Sequence, residues 1–259
     1  SYRLGAGDIF ETPEVIMAYS SKGLSGLSHI YHDAYRSNLI RSKYVTSPRP
    51  ILVNNWEATY FNFDEEKLFN IAKNAKEIGL DMFVLDDGWF GKRDTDYSGL
   101  GDWVVNESKI KGGLPQLVKR IKALGMKFGL WIEPEMVSED SDLYRNHPDW
   151  ILRIPQRHMT RSRHQLNLDI TRKEVRDYVM EQIFRVLDSC EADYVKWDMN
   201  RSVANVYSSA LPSERQGEVF HRYMLGVYEM MERLITRYPD LLFENCAGGG
   251  GRFDAGMMY

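Results

Sequence analysis

The sequence predicts an α/β fold built on a parallel sheet, and three features of the chain indicate it. Short apolar runs alternate with longer amphipathic segments along most of the 259 residues. The apolar runs begin near residues 51, 81, 127, 165, 193 and 241, about 30 to 48 residues apart, which is the spacing of strand–helix units joined by right-handed crossovers. Polar and aromatic residues follow nearly every run.

The position of these polar residues favours a (β/α)8 barrel of the TIM-barrel type over a doubly wound open sheet. A barrel collects active-site residues from many strand ends, whereas an open sheet concentrates them at one switch point. The six runs amount to about six of the eight units of a barrel, so we expect this chain to be part of a longer protein. The predicted strands are ILVNNW at 51–56, DMFVLDDGW at 81–89, KFGLWIEPEM at 127–136, QLNLDI at 165–170, DYVKWDMN at 193–200 and LLFENCAGG at 241–249.

Four segments between the strands carry helix signals. The first is capped by Asp64 and ends at Gly79, the second is LPQLVKRIKALG at 114–125, and the third begins with a Thr171–Glu174 capping box. The fourth spans 213–240. Its apolar residues form one stripe that predicts core packing: Phe220, Met224, Val227, Met231, Leu234 and Ile235.

Composition and charge exclude several classes of function. The net charge is −4 and no basic stripe is present, so no nucleic-acid partner is expected. No apolar run approaches the roughly 20 residues of a membrane span, and no membrane partner is expected. Two cysteines without a CxxC pair, and no recognisable signal peptide, predict a cytoplasmic protein. The run GGGG at 248–251 lacks a phosphate-binding pattern and His164 lacks a partner at ligand spacing, so no cofactor and no metal are expected.

The strand ends carry carboxylates mixed with tryptophans, which suits a carbohydrate. Carboxylates bind vicinal hydroxyls and indole rings stack on the apolar face of a sugar. In YVKWDMNRS, strand alternation places Lys196, Asp198 and Asn200 on one face. A lysine beside Asp198 favours an ionised carboxylate, as a nucleophile requires. The alternatives are an ordinary ion pair at Asp198 and a polar turn at Asp86 and Asp87.

Several motifs resemble the catalytic barrel of family 36 glycoside hydrolases, the bacterial α-galactosidases. They are NNWEATYFNF, LDDGWF, GLWIEPEMV, YVKWDMNRS and ENCAGGGGRFD, in that order, and the match runs from about residue 46 to the end. The resemblance implies that residues 46–259 are a partial catalytic barrel. It also implies that residues 1–45 join this barrel to an N-terminal β-domain, and that the complete protein forms homo-oligomers.

The resemblance implies a retaining α-galactosidase that acts on melibiose- or raffinose-type α-galactosides, with Asp198 as the catalytic nucleophile. The residues that it assigns to substrate binding are Trp56, Asp86, Asp87, Trp131, Arg163, Lys196, Asn200, Cys246 and Gly249. The acid/base Asp of the family lies in the segment after GRFDAGMMY, so we expect it beyond Tyr259. Asp254 is expected to pair structurally with Arg252.

Other functions remain open at this point. Within the family, an α-N-acetylgalactosaminidase or a galactosyl transferase differs at the loop Cys246 to Gly249, which would face the 2-position of the sugar. A galactose-binding fragment without turnover is a further alternative, because the acid/base is expected outside this chain. A magnesium-dependent barrel lyase would use Lys196 as a base, but the tryptophans at the strand ends argue against it.

Overall fold

The computed structural model describes all residues from Ser1 to Tyr259, and its centre is a parallel sheet of five strands. The strands are β1 (Leu52–Asn54), β2 (Met82–Leu85), β3 (Lys127–Ile132), β6 (Tyr194–Trp197) and β7 (Leu242–Asn245), in the order β1-β2-β3-β6-β7. Two shorter strands, β4 (Met136–Val137) and β5 (Leu166–Asn167), form a separate antiparallel pair. The α/β class and the parallel sheet of the sequence prediction are confirmed.

Helices fill most connections between the strands, and one more lies before the first strand and one after the last. They are α1 (Gly23–Asn38), α2 (Trp56–Thr59), α3 (Glu65–Glu77), α4 (Gly113–Ala123), α5 (Asp142–Asn146), α6 (Lys173–Cys190), α7 (Val219–Arg237) and α8 (Ala255–Met258), with 3-10 turns at Lys43–Val45 and Ser213–Glu218. No helix is long and apolar enough to cross a bilayer.

The predicted strand at 165–170 is not part of the parallel sheet, and this prediction is wrong. β3 pairs directly with β6, while β5 pairs antiparallel with β4 through Met136–Asn167 and Val137–Leu166. The segment between β4 and β5 contains only the short helix α5, so no crossover helix returns the chain to the sheet edge. The apolar residues at 165–170 are buried, which explains why their pattern resembles a strand.

The helix predictions were mostly confirmed, with two exceptions. Asp64 caps α3 by accepting a hydrogen bond from the N–H of Lys67 at 2.8 Å. The capping box at Thr171 does not form, because its hydroxyl donates to Asp169 at 2.5 Å instead. In α7 the predicted stripe is shifted towards Val219 and Tyr223, and Phe220 is 52% exposed.

Alternate residues of the parallel strands point to opposite faces of the sheet. Met82, Val84, Tyr194 and Leu242 form a small apolar cluster on one face with Tyr44. Phe83, Leu85 and Val195 belong instead to the large core that includes the outer helices. Lys196 follows Tyr194 by two residues and therefore continues the inner face towards the carboxyl ends of the strands.

Candidate active site

Asp198 is buried at the carboxyl end of β6, where four hydrogen bonds fix it. Its main-chain N–H donates to the carbonyl of Ile132 at 2.8 Å, which extends the pairing with β3 by one residue. Oδ2 accepts from the indole Nε1 of Trp131 at 3.1 Å and from Nδ2 of Asn200 at 2.7 Å. Oδ1 accepts from the N–H of Met199 at 2.9 Å. An ordinary solvated ion pair does not describe this carboxylate, since all its described donors are neutral groups.

Lys196 forms its ion pair with Asp86 rather than with Asp198. Its Nζ lies 3.3 Å from Oδ2 of Asp86, a partner that the alternation of the strand did not indicate. The register of the sheet explains the choice: Lys196 is level with Trp131, and its side chain reaches across to the end of β2. Burial lowers the pKa of Lys196, but the charges of Asp86 and Asp198 outweigh it and raise that pKa overall.

Asp86 and Asp87 are both buried, so they are not a solvated turn. Asp86 accepts from Nδ2 of Asn54 at 2.5 Å through the same oxygen that faces Lys196. Asp87 is held by Arg93, whose Nε and Nη2 donate to its two oxygens at 3.0 and 2.8 Å. Burial raises the pKa of Asp87 despite this guanidinium. The two neighbours therefore have different partners and different environments.

The two tryptophans assigned to the site differ in exposure. Trp131 is only 2% exposed; it packs against Phe90 and Trp103, and its polar edge reaches Asp198. Trp56 begins α2 and is half-buried beside Tyr60 and Phe61. Its main-chain N–H donates to Oδ1 of Asn54 at 2.7 Å, which links it to the partner of Asp86. Trp56 is thus partly open to solvent, whereas Trp131 is buried and contributes its N–H to Asp198.

Arg163 reaches the site from the loop before β5. Its Nη1 donates to Oδ1 of Asn200 at 2.9 Å, while Nδ2 of Asn200 donates to Asp198. Arg163, Asn200 and Asp198 therefore form a continuous chain of hydrogen bonds. Arg163 itself is exposed.

Cys246 and Gly249 lie in the loop after β7. The N–H of Cys246 donates to the carbonyl of Trp197 at 2.8 Å, which places this loop beside the end of β6. Burial raises the pKa of the Cys246 thiol, and Asp198 adds to this. Gly249 has a φ of +93° and its carbonyl accepts from Ala247 at 2.8 Å, so the loop folds back on itself at a position that favours glycine.

Two buried glutamates after β3 were not assigned to the site from the sequence. Glu133 accepts from the N–H of Asn200 at 2.5 Å and from Nε2 of Gln165 at 2.9 Å. Burial and the charge of Asp198 raise the pKa of Glu133 to about 8. Both belong to WIEPEM, where Glu-x-Glu directly follows a buried strand; this spacing indicates two strand-end carboxylates but does not indicate their partners.

Glu135 is buried and accepts four hydrogen bonds. Trp197 Nε1 and the hydroxyl of Tyr223 each donate to it at 2.8 Å, and Arg252 donates from both Nη atoms, at 3.0 and 2.6 Å. The predicted pairing of Arg252 with Asp254 is therefore wrong. Asp254 instead caps α8 by accepting from the N–H of Met257 at 3.0 Å.

Arg93 is a further residue that the sequence did not indicate, because a lone arginine in a polar loop carries no pattern. It is 1% exposed and pairs with Asp87. No group of three or more His, Cys, Asp or Glu side chains is arranged to hold a metal ion. The two cysteines are both free thiols.

Known proteins match this arrangement over nearly the whole chain. The family model Melibiase matches residues 9–259. The α-galactosidase AgaA of Geobacillus stearothermophilus is 55% identical over 259 residues, which are 100% of this chain and 36% of that protein.

Solved structures agree with this match. A variant of the Geobacillus enzyme in complex with stachyose has a TM-score of 0.93 at 55% identity, over 96% of this chain and 35% of that one. Another variant, in complex with raffinose, has a TM-score of 0.89 at 55% identity, over 92% of this chain and 33% of that one. These structures are family 36 catalytic domains, so the partial-barrel prediction is confirmed. The chain spans about a third of the length of these relatives, and it belongs to the melibiase family, glycoside hydrolase family 36.

Proposed function

We propose that the complete protein containing this chain is a retaining α-galactosidase that releases terminal α-linked galactose from oligosaccharides of the melibiose, raffinose or stachyose type. The observation that carries the proposal is the environment of Asp198, which is buried at a strand end and oriented by three N–H donors. The relatives named above are α-galactosidases, and two solved forms hold stachyose and raffinose.

In the proposed reaction Asp198 attacks the anomeric carbon of the galactosyl unit. The bond from this carbon to the glycosidic oxygen breaks, and a covalent galactosyl-Asp198 ester forms. An acid/base carboxyl protonates the departing oxygen, then deprotonates the water that hydrolyses the ester. The N–H donors around Asp198 hold the carboxylate in one rotamer, so little reorganisation is needed during the attack.

The remaining site residues are proposed to bind the galactose. Asp86 and Asp87 would accept hydrogen bonds from hydroxyls through lone pairs not used by Lys196 and Arg93. Trp56 and Trp131 would line the pocket, with Arg163, Lys196 and Asn200 adding donors. Cys246 and Gly249 would lie against the 2-position, where an N-acetyl group would need extra room.

Glu133 is a poor candidate for the acid/base, although its pKa near 8 would suit that role. It is fully buried, and its two oxygens already bind Asn200 and Gln165. A retaining enzyme needs its second carboxyl on the substrate side of the nucleophile, about 5–5.5 Å away. We therefore propose that the acid/base lies beyond Tyr259 in the complete protein.

The wider organisation is also proposed from the family resemblance. Residues 1–45 would join an N-terminal β-domain, and 46–259 would form part of the barrel. The segment before the sheet supports this, since α1 has no buried residue and Ile9, Met17 and Leu24 are each more than four-fifths exposed. A cytoplasmic location agrees with the two free thiols. A homo-oligomer is proposed for the complete protein.

The direct test is hydrolysis of aryl glycosides by the complete protein, whose intact mass should exceed 30.1 kDa. Hydrolysis of the aryl α-galactoside, with little action on the β-anomer or the α-N-acetylgalactosaminide, supports the proposal. Asp198→Asn should abolish turnover and leave galactose binding largely intact, while Asp188→Asn on the outer helix α6 should change neither. An Asp198→Asn protein with near-normal turnover contradicts the assignment of the nucleophile.

A further inference from the structure

Arg201 is a buried cation whose hydrogen bonds all go to main-chain carbonyls. It is 3% exposed, and its Nη1 donates to the carbonyls of Gln165 at 2.5 Å and Thr160 at 2.9 Å. Its Nε donates to the carbonyl of Ser202 at 3.2 Å. Burial lowers the pKa of this guanidinium. Burying a cation without a carboxylate partner is costly, so these carbonyl contacts indicate a specific task.

The segment between the two bound carbonyls is a strained turn. The N–H of Gln165 donates to the carbonyl of Ser162 at 3.1 Å, and the two central residues, Arg163 and His164, have φ values of +52° and +58°. Turns with positive φ at both central positions strongly favour Asn and Gly. Here the sequence places an arginine and a histidine there, so the surroundings must impose the conformation.

This turn aims Arg163 at the nucleophile through Asn200. Arg163 donates to Oδ1 of Asn200, which fixes the amide so that its Nδ2 faces Oδ2 of Asp198. Glu133 also links Asn200 to the turn, because it accepts hydrogen bonds from the N–H of Asn200 and from the side chain of Gln165. Two buried charged side chains thus connect the turn to the residues after β6. Arg201 binds the carbonyls of Thr160 and Gln165, and Glu133 binds the side chain of Gln165 and the N–H of Asn200.

We propose that Arg201 is a positioning residue that holds the 160–165 turn, with Glu133 supporting it, so that Arg163 orients the amide of Asn200 towards Asp198. Arg201 touches no reacting atom and acts through Arg163. The consequence for turnover rests on the proposed galactosidase function. The consequence for the order of the turn does not.

The first test is a double-mutant cycle in the complete protein, with Arg201→Lys, Arg163→Ala and the double variant. Lysine keeps the charge but lacks the Nε that donates to Ser202 and the rigid planar geometry that sets Nη1 between the carbonyls of Gln165 and Thr160. If Arg201 acts through Arg163, each single variant should lower kcat/KM by about tenfold or more, and the double variant should be no worse than Arg163→Ala within about twofold. Losses that multiply would overturn the proposal.

A matched control separates this role from general stability. Arg176 also donates to two main-chain carbonyls, those of Ile170 and Thr171, but it pairs with Glu229 on the outer helices. Arg176→Lys should therefore leave kcat/KM unchanged. If Arg176→Lys lowers kcat/KM as much as Arg201→Lys does, arginine–carbonyl contacts in general support activity. That result would overturn the positioning role of Arg201.

Hydrogen exchange of the 160–165 amides gives a readout that needs no activity. Arg201→Lys should speed exchange in this turn, whereas Arg163→Ala should leave it as in the wild type, because the order comes from Arg201 and not from Arg163. Faster exchange of these amides in Arg163→Ala overturns the proposal. The exchange measurement on Arg163→Ala therefore tests the proposal even if Arg201→Lys does not fold. An inactive wild-type protein that shows the expected exchange pattern would contradict the galactosidase function alone.

Discussion

The indole N–H of Trp131 donates to Oδ2 of Asp198 at 3.1 Å, across the boundary between β3 and β6. Trp131 is otherwise buried among Phe90 and Trp103, so the ring cannot turn away from the carboxylate. The rotamer of the proposed nucleophile is therefore fixed by core packing as well as by its own neighbours.

Trp131→Phe tests the value of this hydrogen bond. The phenyl ring keeps most of the packing and removes the donor, and a hydrogen bond to a charged group contributes about 1.5–3 kcal/mol. We expect kcat/KM for an aryl α-galactoside to fall roughly 10- to 100-fold, since each 1.4 kcal/mol is a factor of about ten.

Trp103→Phe is the matched control for this variant. Trp103 belongs to the same aromatic cluster, but its Nε1 has no hydrogen-bond partner. The substitution should change kcat/KM less than about threefold. Equal losses in the two variants would mean that ring packing, and not the donor to Asp198, supports turnover.

Asp87 accepts hydrogen bonds from Nε and Nη2 of Arg93. The substitution Asp87→Asn removes the negative charge and keeps the shape of the side chain. Binding and turnover should weaken together, with kcat/KM reduced by about tenfold or more, if this carboxylate also accepts a galactose hydroxyl. Asp96→Asn provides the comparison, because Asp96 lies 3.9 Å from the same guanidinium but is much more exposed. Activity retained in Asp87→Asn would reduce Asp87 to a purely structural partner of Arg93.

The raised pKa of Glu133 predicts a pH dependence of stability. The folded protein holds this proton up to about pH 8, whereas an unfolded glutamate releases it near pH 4.3. The folded state therefore binds more protons between these values, and the contribution of Glu133 to stability decreases as pH rises from about 4.3 to 8. Glutamine keeps the size and cannot ionise, so the Tm of Glu133→Gln relative to the wild type should be higher at pH 8 than at pH 5.

An exposed carboxyl supplies the control for this comparison. Glu107 forms no hydrogen bond or ion pair through its side chain, and Glu107→Gln is expected to follow the pH trend of the wild type. If the difference in Tm between Glu133→Gln and the wild type stays constant from pH 5 to pH 8, Glu133 is not held in its protonated form by the fold.

Much of the fold followed from periodicity, because alternation and helix caps report which face of an element is buried. Periodicity does not report the pairing partner, which is why QLNLDI was placed in the parallel sheet although it pairs with β4. The same limit applies to charged groups. Lys196 is two residues from Asp198 but forms an ion pair with Asp86. Arg252 is two residues from Asp254 but forms an ion pair with Glu135.

The closeness of the strand-end side chains was predictable because the carboxyl ends of parallel strands meet at one edge of the sheet. Arg93, Gln165 and Arg201 were not, since their roles depend on loops that cross between strands. A loop residue that binds a buried carboxylate or a distant carbonyl leaves no periodic signal in the sequence. Its partner becomes evident only from the three-dimensional arrangement.

The central claim, that Asp198 is the nucleophile of a retaining galactosidase, is tested most directly by covalent labelling of the complete protein. A galactose-configured cyclophellitol aziridine forms an ester with the nucleophile, and trypsin then releases the peptide from Trp197 to Arg201, in which Asp198 is the only acidic side chain. The account predicts that this peptide carries the label and that prior incubation with galactose slows labelling. A label found on another peptide would contradict it.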